Sequence, residues 1–165
     1  MAQSQPPSPT SPDGLHLKRP CLMVADLERS LLIYRDILGF RLDYVGDASP
    51  TSYLYKAFKF PQEVQLKFAA LSTEYEPRSL ALTEFKGIQL PTPTPPYRAA
   101  TVMRVPDIAS TIQKIRDRGL EAIEPSFFTA PPNLSFTEQA FCDYDGHLIV
   151  LYEVKQSDNL TPERD

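Results

Sequence analysis

The chain is short of the residues that make cross-links, metal knuckles or membrane anchors. Among its 165 residues only two are cysteine, Cys21 and Cys142, and none is tryptophan. With no C-x-x-C spacing, these thiols do not frame a disulfide scaffold. A single disulfide between them stays open, and reduced thiols in a cytoplasmic protein are the simpler expectation. Positive charge is also scarce: 17 Lys and Arg against 21 Asp and Glu leave a net charge of −4. No basic face for nucleic acid is expected from that balance. No apolar run approaches the roughly 20 residues of a membrane span. The opening MAQSQPPSPTSPDG lacks the charged-then-apolar order of a secretion signal.

Proline, by contrast, is abundant at 17 residues, and its placement divides the chain. Pro6, Pro7, Pro9 and Pro12 lie among Ser, Gln and Thr, so residues 1–14 read as a tail with too little apolar surface to order itself. PTPTPP at 91–96 reads as an extended, semi-rigid linker. The polar residues 155–165 read as a second tail. Two folded segments are therefore expected, 15–90 and 97–154.

Their openings match. LKRPCLMVADLERSLLIYRDILGF and YRAATVMRVPDIASTIQKIRDRGL each give a short strand, an Asp, an amphipathic helix and a glycine. Leu27, Leu31, Tyr34 and Leu38 fall on one helical stripe, as do Ile108, Ile112 and Ile115. Asp26 and Asp107 are placed to cap the helices, Gly39 and Gly119 to end them. Strand patterns follow at 40–45, 64–72 and 79–85, and again at 120–124, 135–142 and 148–153; a short helix fits within 49–62. The fold class expected is α+β: two tandem βαβββ modules forming a concave, eight-stranded mixed sheet. A helix with one apolar stripe covers one face of its sheet and leaves the other free to line a cup.

This repeated plan, opened by VADLERSLLIYRDILGF and closed by FCDYDGHLIVLYE, resembles the vicinal oxygen chelate superfamily of glyoxalases, bleomycin-resistance proteins and extradiol dioxygenases. The resemblance spans about residues 15–154. It implies that metal-using members place a ligand on the first strand and a carboxylate on the last strand of each module. Those four positions fall here on Arg19, Ala81, Ala100 and Val150, none of them a metal donor, and Arg carries a fixed positive charge. His16, Glu84 and His147 do not restore the set, because each needs its own slip in register. A cup without metal or cofactor is expected. The resemblance also implies a homodimer.

If side chains alternate, Arg19, Cys21, Met23, Ala81, Thr83, Ala100, Val102, Arg104, Leu148, Val150 and Tyr152 line the cup. Tyr53, Tyr55 and Phe58 would serve as a lid. Such a lining suits a hydrophobic or aromatic small molecule, held without metal as in resistance or sequestration proteins. Each residue also has a plainer reading, as core packing or a surface ion pair. The alternative is a glyoxalase-like lyase, isomerase or dioxygenase in the same cup, with Glu138 as base and Tyr152 as proton donor. A cup filled by its own side chains would instead suit a protein-interaction module. Cys142 and His147, flanking the DYDG turn, are a weaker nucleophile pair. Asp143 and Asp145 read as turn formers.

Overall fold

The computed structural model describes residues 14–156, so most of both expected tails lies outside the described residues. The first module holds β1 (Cys21–Val24), α1 (Leu27–Tyr34), β2 (Arg41–Asp47), α2 (Tyr53–Phe58), β3 (Gln65–Ser72) and β4 (Leu80–Lys86). The second holds β5 (Thr101–Arg104), α3 (Ile108–Asp117), β6 (Ser126–Ala130), β7 (Leu134–Cys142) and β8 (Leu148–Gln156). The eight strands are carried as two four-stranded sheets with the same plan, ordered β1-β4-β3-β2 and β5-β8-β7-β6. In each, the first strand runs parallel to the last and the other pairings are antiparallel.

The internal repeat extends to the caps. The Asp26 carboxylate accepts from the Arg29 amide and that of Asp107 from the Ser110 amide, each at 3.0 Å. Each satisfies one of the amides a helix start leaves without a partner. A second carboxylate caps α1 from the sheet: Glu84 Oε2 accepts from the Leu27 amide at 2.7 Å. Glu84 therefore points toward the helix, away from the cup.

Alternation sorts each sheet into two faces. Leu22, Val24, Leu80 and Leu82 pack beneath α1 with Leu27, Leu31 and Tyr34. The same core continues into Ile108, Ile112 and Ile115 of α3 and Phe141, Ile149 and Leu151 of β7 and β8, so one core spans both modules. Full burial of such side chains contributes on the order of 1.5–3 kcal/mol each. The opposite faces carry Cys21, Met23, Ala81 and Thr83 in the first module.

One strand is displaced from its expected place. LEAIE at 120–124 forms no strand; Ala122 makes a single bridge to Phe141, and Ile123 is held by the Ala140 carbonyl and the Gln139 side chain. Pro125, which has no amide hydrogen to give a ladder, separates this stretch from β6, where SFFTA pairs fully with β7.

The turn 143–147 fastens the modules together. Asp143 is buried; its Oδ1 accepts from the amides of Asp145 and His147, and its Oδ2 from the Tyr34 hydroxyl at 2.7 Å. Asp145 Oδ1 accepts from the Ala25 amide at 2.9 Å, and His147 Nε2 lies 2.7 Å from the Met23 carbonyl. A carbonyl only accepts, so that ring nitrogen carries the proton. The free edge of β1 is thus tied down by the other module. The linker packs here too, with Thr92 and Pro93 lying over Gly146.

Candidate functional site

In the first module the parallel register sets Cys21 beside Ala81 and Met23 beside Thr83. Cys21 Sγ lies 3.6 Å from Thr83 Oγ1, and Ala81 and Thr83 are fully buried on this face. Arg19, just before β1, stacks its guanidinium 5.6 Å from the Phe68 ring centre and donates to the Arg78 carbonyl at 3.2 Å. Such a cation over an aromatic face gains roughly 0.5–1 kcal/mol at an exposed site.

Sequence reading missed Phe68 and Tyr44. β3 pairs Phe68 with Thr83 and Ala70 with Ala81, and Tyr44 of β2 pairs with Ala70. The two rings stand 6.4 Å apart, with the Tyr44 ring lying across Gly46, where a side chain would collide with it. Both aromatics sit in strands legible from sequence; which face they share depends on a register shift between Leu42 and Tyr44 that no local pattern announces.

The helix α2 is mounted on this face differently from the expected lid. Tyr55 is buried among Met23, Phe60, Leu66 and Phe85, its hydroxyl bonded to the Val64 carbonyl at 2.9 Å. Tyr53 is 76 % exposed and Phe58 42 %, so neither closes over the site in this structure.

In the second module Val102 pairs with Val150, and Arg104 with Tyr152. Across the next strand Glu138 pairs with Tyr152 and Ala140 with Val150. One face thus carries an apolar row, Val102, Val150 and Ala140, beside a polar row, Arg104, Tyr152 and Glu138. Directly paired residues have Cα atoms about 4.5–5.5 Å apart, so each row is a set of neighbours. This face is open: Val102 is 61 % exposed and Arg104 exposed, with Val150, Tyr152 and Glu138 half-buried. Ala100 lies exposed just before β5.

The thiol–imidazole pair does not form. His147 is turned to the Met23 carbonyl, and the Tyr97 phenol is pushed up from its ordinary value, first by its interaction with Cys142. Tyr97, just after the linker, was not anticipated from sequence. Nor do the residues at the four expected metal positions fit a metal. Arg19 is engaged with Phe68, and Ala81, Ala100 and Val150 offer only hydrocarbon. Among the described residues no three His, Cys, Asp or Glu side chains come together as a metal site. No step through a metal follows from this donor set.

Paired βαβββ modules, each with one sheet face covered by its helix, define a glyoxalase-type fold. A family model of the Glyoxalase/Bleomycin resistance protein/Dioxygenase superfamily matches residues 16–151, and the chain belongs to that superfamily. Solved structures share the fold at low identity. A glyoxalase family protein from Bacillus cereus superposes with a TM-score of 0.65 at 14 % identity, covering 88 % of this chain and 99 % of that one. An antibiotic binding protein from a Streptomyces species gives 0.53 at 16 %, covering 87 % and 98 %. The fosfomycin resistance protein of Listeria monocytogenes, solved with Mn(II) and sulfate, gives 0.53 at 17 %, covering 86 % and 92 %. No curated protein matches the chain in sequence. No helix of the described residues is long and apolar enough to cross a membrane.

Proposed function

We propose that this protein binds a small hydrophobic or aromatic molecule in its cup without a metal, in the manner of a sequestering protein, and that it acts as a cytoplasmic homodimer. The observation that carries this reading is the open face of the second module. There the exposed Val102 and the half-buried Val150 form an apolar platform whose neighbouring row begins with the Arg104 guanidinium. An aromatic ring gains by covering the platform, and a carboxylate or phenolate on it would meet Arg104. Arg19, Phe68 and Tyr44 offer the same chemistry, a cation beside aromatic faces, on the first module.

The test is native mass spectrometry of the purified protein. A metal-free dimer carrying an organic adduct that leaves on denaturation is the expected result. A stoichiometric transition metal would overturn it and return the site to glyoxalase-type or dioxygenase chemistry.

A second reading draws on the pairing of Glu138 with Tyr152. A carboxylate and a phenol side by side can take and return one proton, the minimum for a metal-free isomerase or lyase. Recovering the adduct chemically unchanged after prolonged incubation would rule against it.

A further inference from the structure

The open face of the second module carries more than the platform and its polar row. β7 pairs without a break with β6 on one side and with β8 on the other. Alternation therefore puts Phe136 on the face that holds Glu138 and Ala140. Phe136 pairs with Phe128 of β6 and Val154 of β8, and the two phenyl rings stack with centres 4.8 Å apart. The polar row thus has an apolar border on each side. Val102, Val150 and Ala140 form one border, and Val154, Phe136 and the exposed Phe128 the other.

Within the polar row two opposite charges stand apart. Arg104 pairs with Tyr152 and Tyr152 with Glu138, so one strand and its phenol separate the guanidinium from the carboxylate. Neighbouring strands lie about 4.8 Å apart, which sets the two Cα atoms about 10 Å from each other. Among the described residues neither Arg104 nor Glu138 joins an ion pair or a side-chain hydrogen bond; the ion pairs lie elsewhere. On the covered face of β8, by contrast, Glu153 is met by Lys155 at 3.0 Å.

This arrangement selects the charge of what lies across it. An anionic ring would answer Arg104 and set its carboxylate on the same face as that of Glu138; a cationic ring would do the reverse. A molecule with an acid at one end and an amine at the other answers both, each charge meeting its opposite. Its aromatic body then rests over Tyr152, between the two apolar borders.

We propose that the occupant of the cup is a zwitterionic aromatic molecule, held by its carboxylate at Arg104 and by its ammonium group at Glu138. The proposal rests on the metal-free cup as the binding site and adds the charge pattern of the ligand.

The full chain is titrated with 4-(aminomethyl)benzoate, 4-methylbenzoate and 4-methylbenzylamine, which share a para-substituted ring and differ in charge, and followed by two-dimensional amide NMR. The zwitterion is expected to give saturable shifts at Val102, Arg104, Glu138 and Tyr152. It should bind at least about fivefold tighter than either singly charged probe, the contribution of one further charge-assisted contact on a half-exposed surface. Glu138→Gln is expected to remove its advantage over 4-methylbenzoate, and Arg104→Gln its advantage over 4-methylbenzylamine, while both spectra keep their dispersion. A zwitterion bound no tighter than the better of the other two, or an advantage that survives in either variant, overturns the proposal. Equal saturable shifts from all three probes at Val102 and Val150 overturn it as well, while leaving the aromatic cup in place. No saturable shift on this face with any probe also overturns it, and the native mass spectrum then decides the cup by itself.

Discussion

Tyr34 and Asp143, 109 positions apart in the chain, share a 2.7 Å hydrogen bond that fastens the first helix to the last turn. Burial, and then the nearby Asp143 charge, hold the Tyr34 phenol well above its ordinary pKa of 10.0. Tyr34→Phe leaves Asp143 Oδ2 buried without its donor and is expected to cost about 1–3 kcal/mol, read from urea unfolding at neutral pH. A raised phenol pKa adds stability that is complete below the unfolded value and is lost as pH rises through the folded one. Wild type should therefore lose stability above about pH 10, and Tyr34→Phe should lose less over that range. Parallel alkaline curves would remove the bond from the account.

Asp145 titrates with the same sign at the acid end. Its carboxyl is raised above 3.8, first by burial, with the Ala25 amide and Arg29 opposing. A raised folded pKa makes its contribution complete below the unfolded value and lost as pH climbs through the folded one. Asp145→Asn has no such titration. Its stability relative to wild type should improve as pH rises from about 4 toward 7, measured as the difference in unfolding midpoint. A difference independent of pH would mean that burial of this carboxylate is without consequence.

Two glycines with similar backbones should respond differently to substitution. Gly119 and Gly146 have φ of +80° and +84°, but a Cβ at 119 meets nothing within 4 Å, whereas one at 146 would lie 2.8 Å from Pro93 Cδ and 2.9 Å from Thr92 Cγ2. Asn tolerates the left-handed region, so Gly119→Asn should cost under about 1 kcal/mol. Gly146→Asn must also push the linker away, and about 2–3 kcal/mol is expected from the added overlap. Equal thermal shifts for the two variants would show that the linker yields without cost.

Glu84 offers a check on the assignment of faces. Glu84→Ala removes the acceptor of the Leu27 amide and should destabilise by about 1–3 kcal/mol without altering any cup ligand. Glu84→Gln keeps a carbonyl for the same amide and should recover more than half of that loss. A change in adduct affinity in either variant would place Glu84 on the wrong face.

Val102 tests the platform. It is 61 % exposed, so Val102→Lys should leave stability within about 0.5 kcal/mol of wild type. The same variant should abolish the organic adduct in native mass spectra, because a charge then sits where an apolar body would rest. An adduct retained at wild-type occupancy would move the ligand elsewhere.

Much of the fold was legible because its signals are local. Asp26 and Asp107 and the isoleucine and leucine stripes act within a few residues, and the structure realises both helices with their N-caps; Gly119 directly follows the C-cap of α3, whereas α1 already ends at Tyr34, ahead of Gly39. LEAIE failed as a strand because Pro125 breaks the ladder beside it and SFFTA, richer in the Phe and Thr that strands favour, takes the pairing with β7. His147 was legible as a turn residue, but its partner is the Met23 carbonyl, 124 positions away, and no spacing rule reaches that far.

The sequence by itself determined the two-module plan and the covered face of each sheet. These follow from periodicity and capping, which each segment carries alone. Only the tertiary structure decided that Arg104, Tyr152 and Glu138 share a row, that Tyr44 and Phe68 join Arg19, and that the aspartate turn serves as the seam between modules. Those depend on strand register and on contacts between distant segments, where a slip of one residue would turn every side chain to the other face.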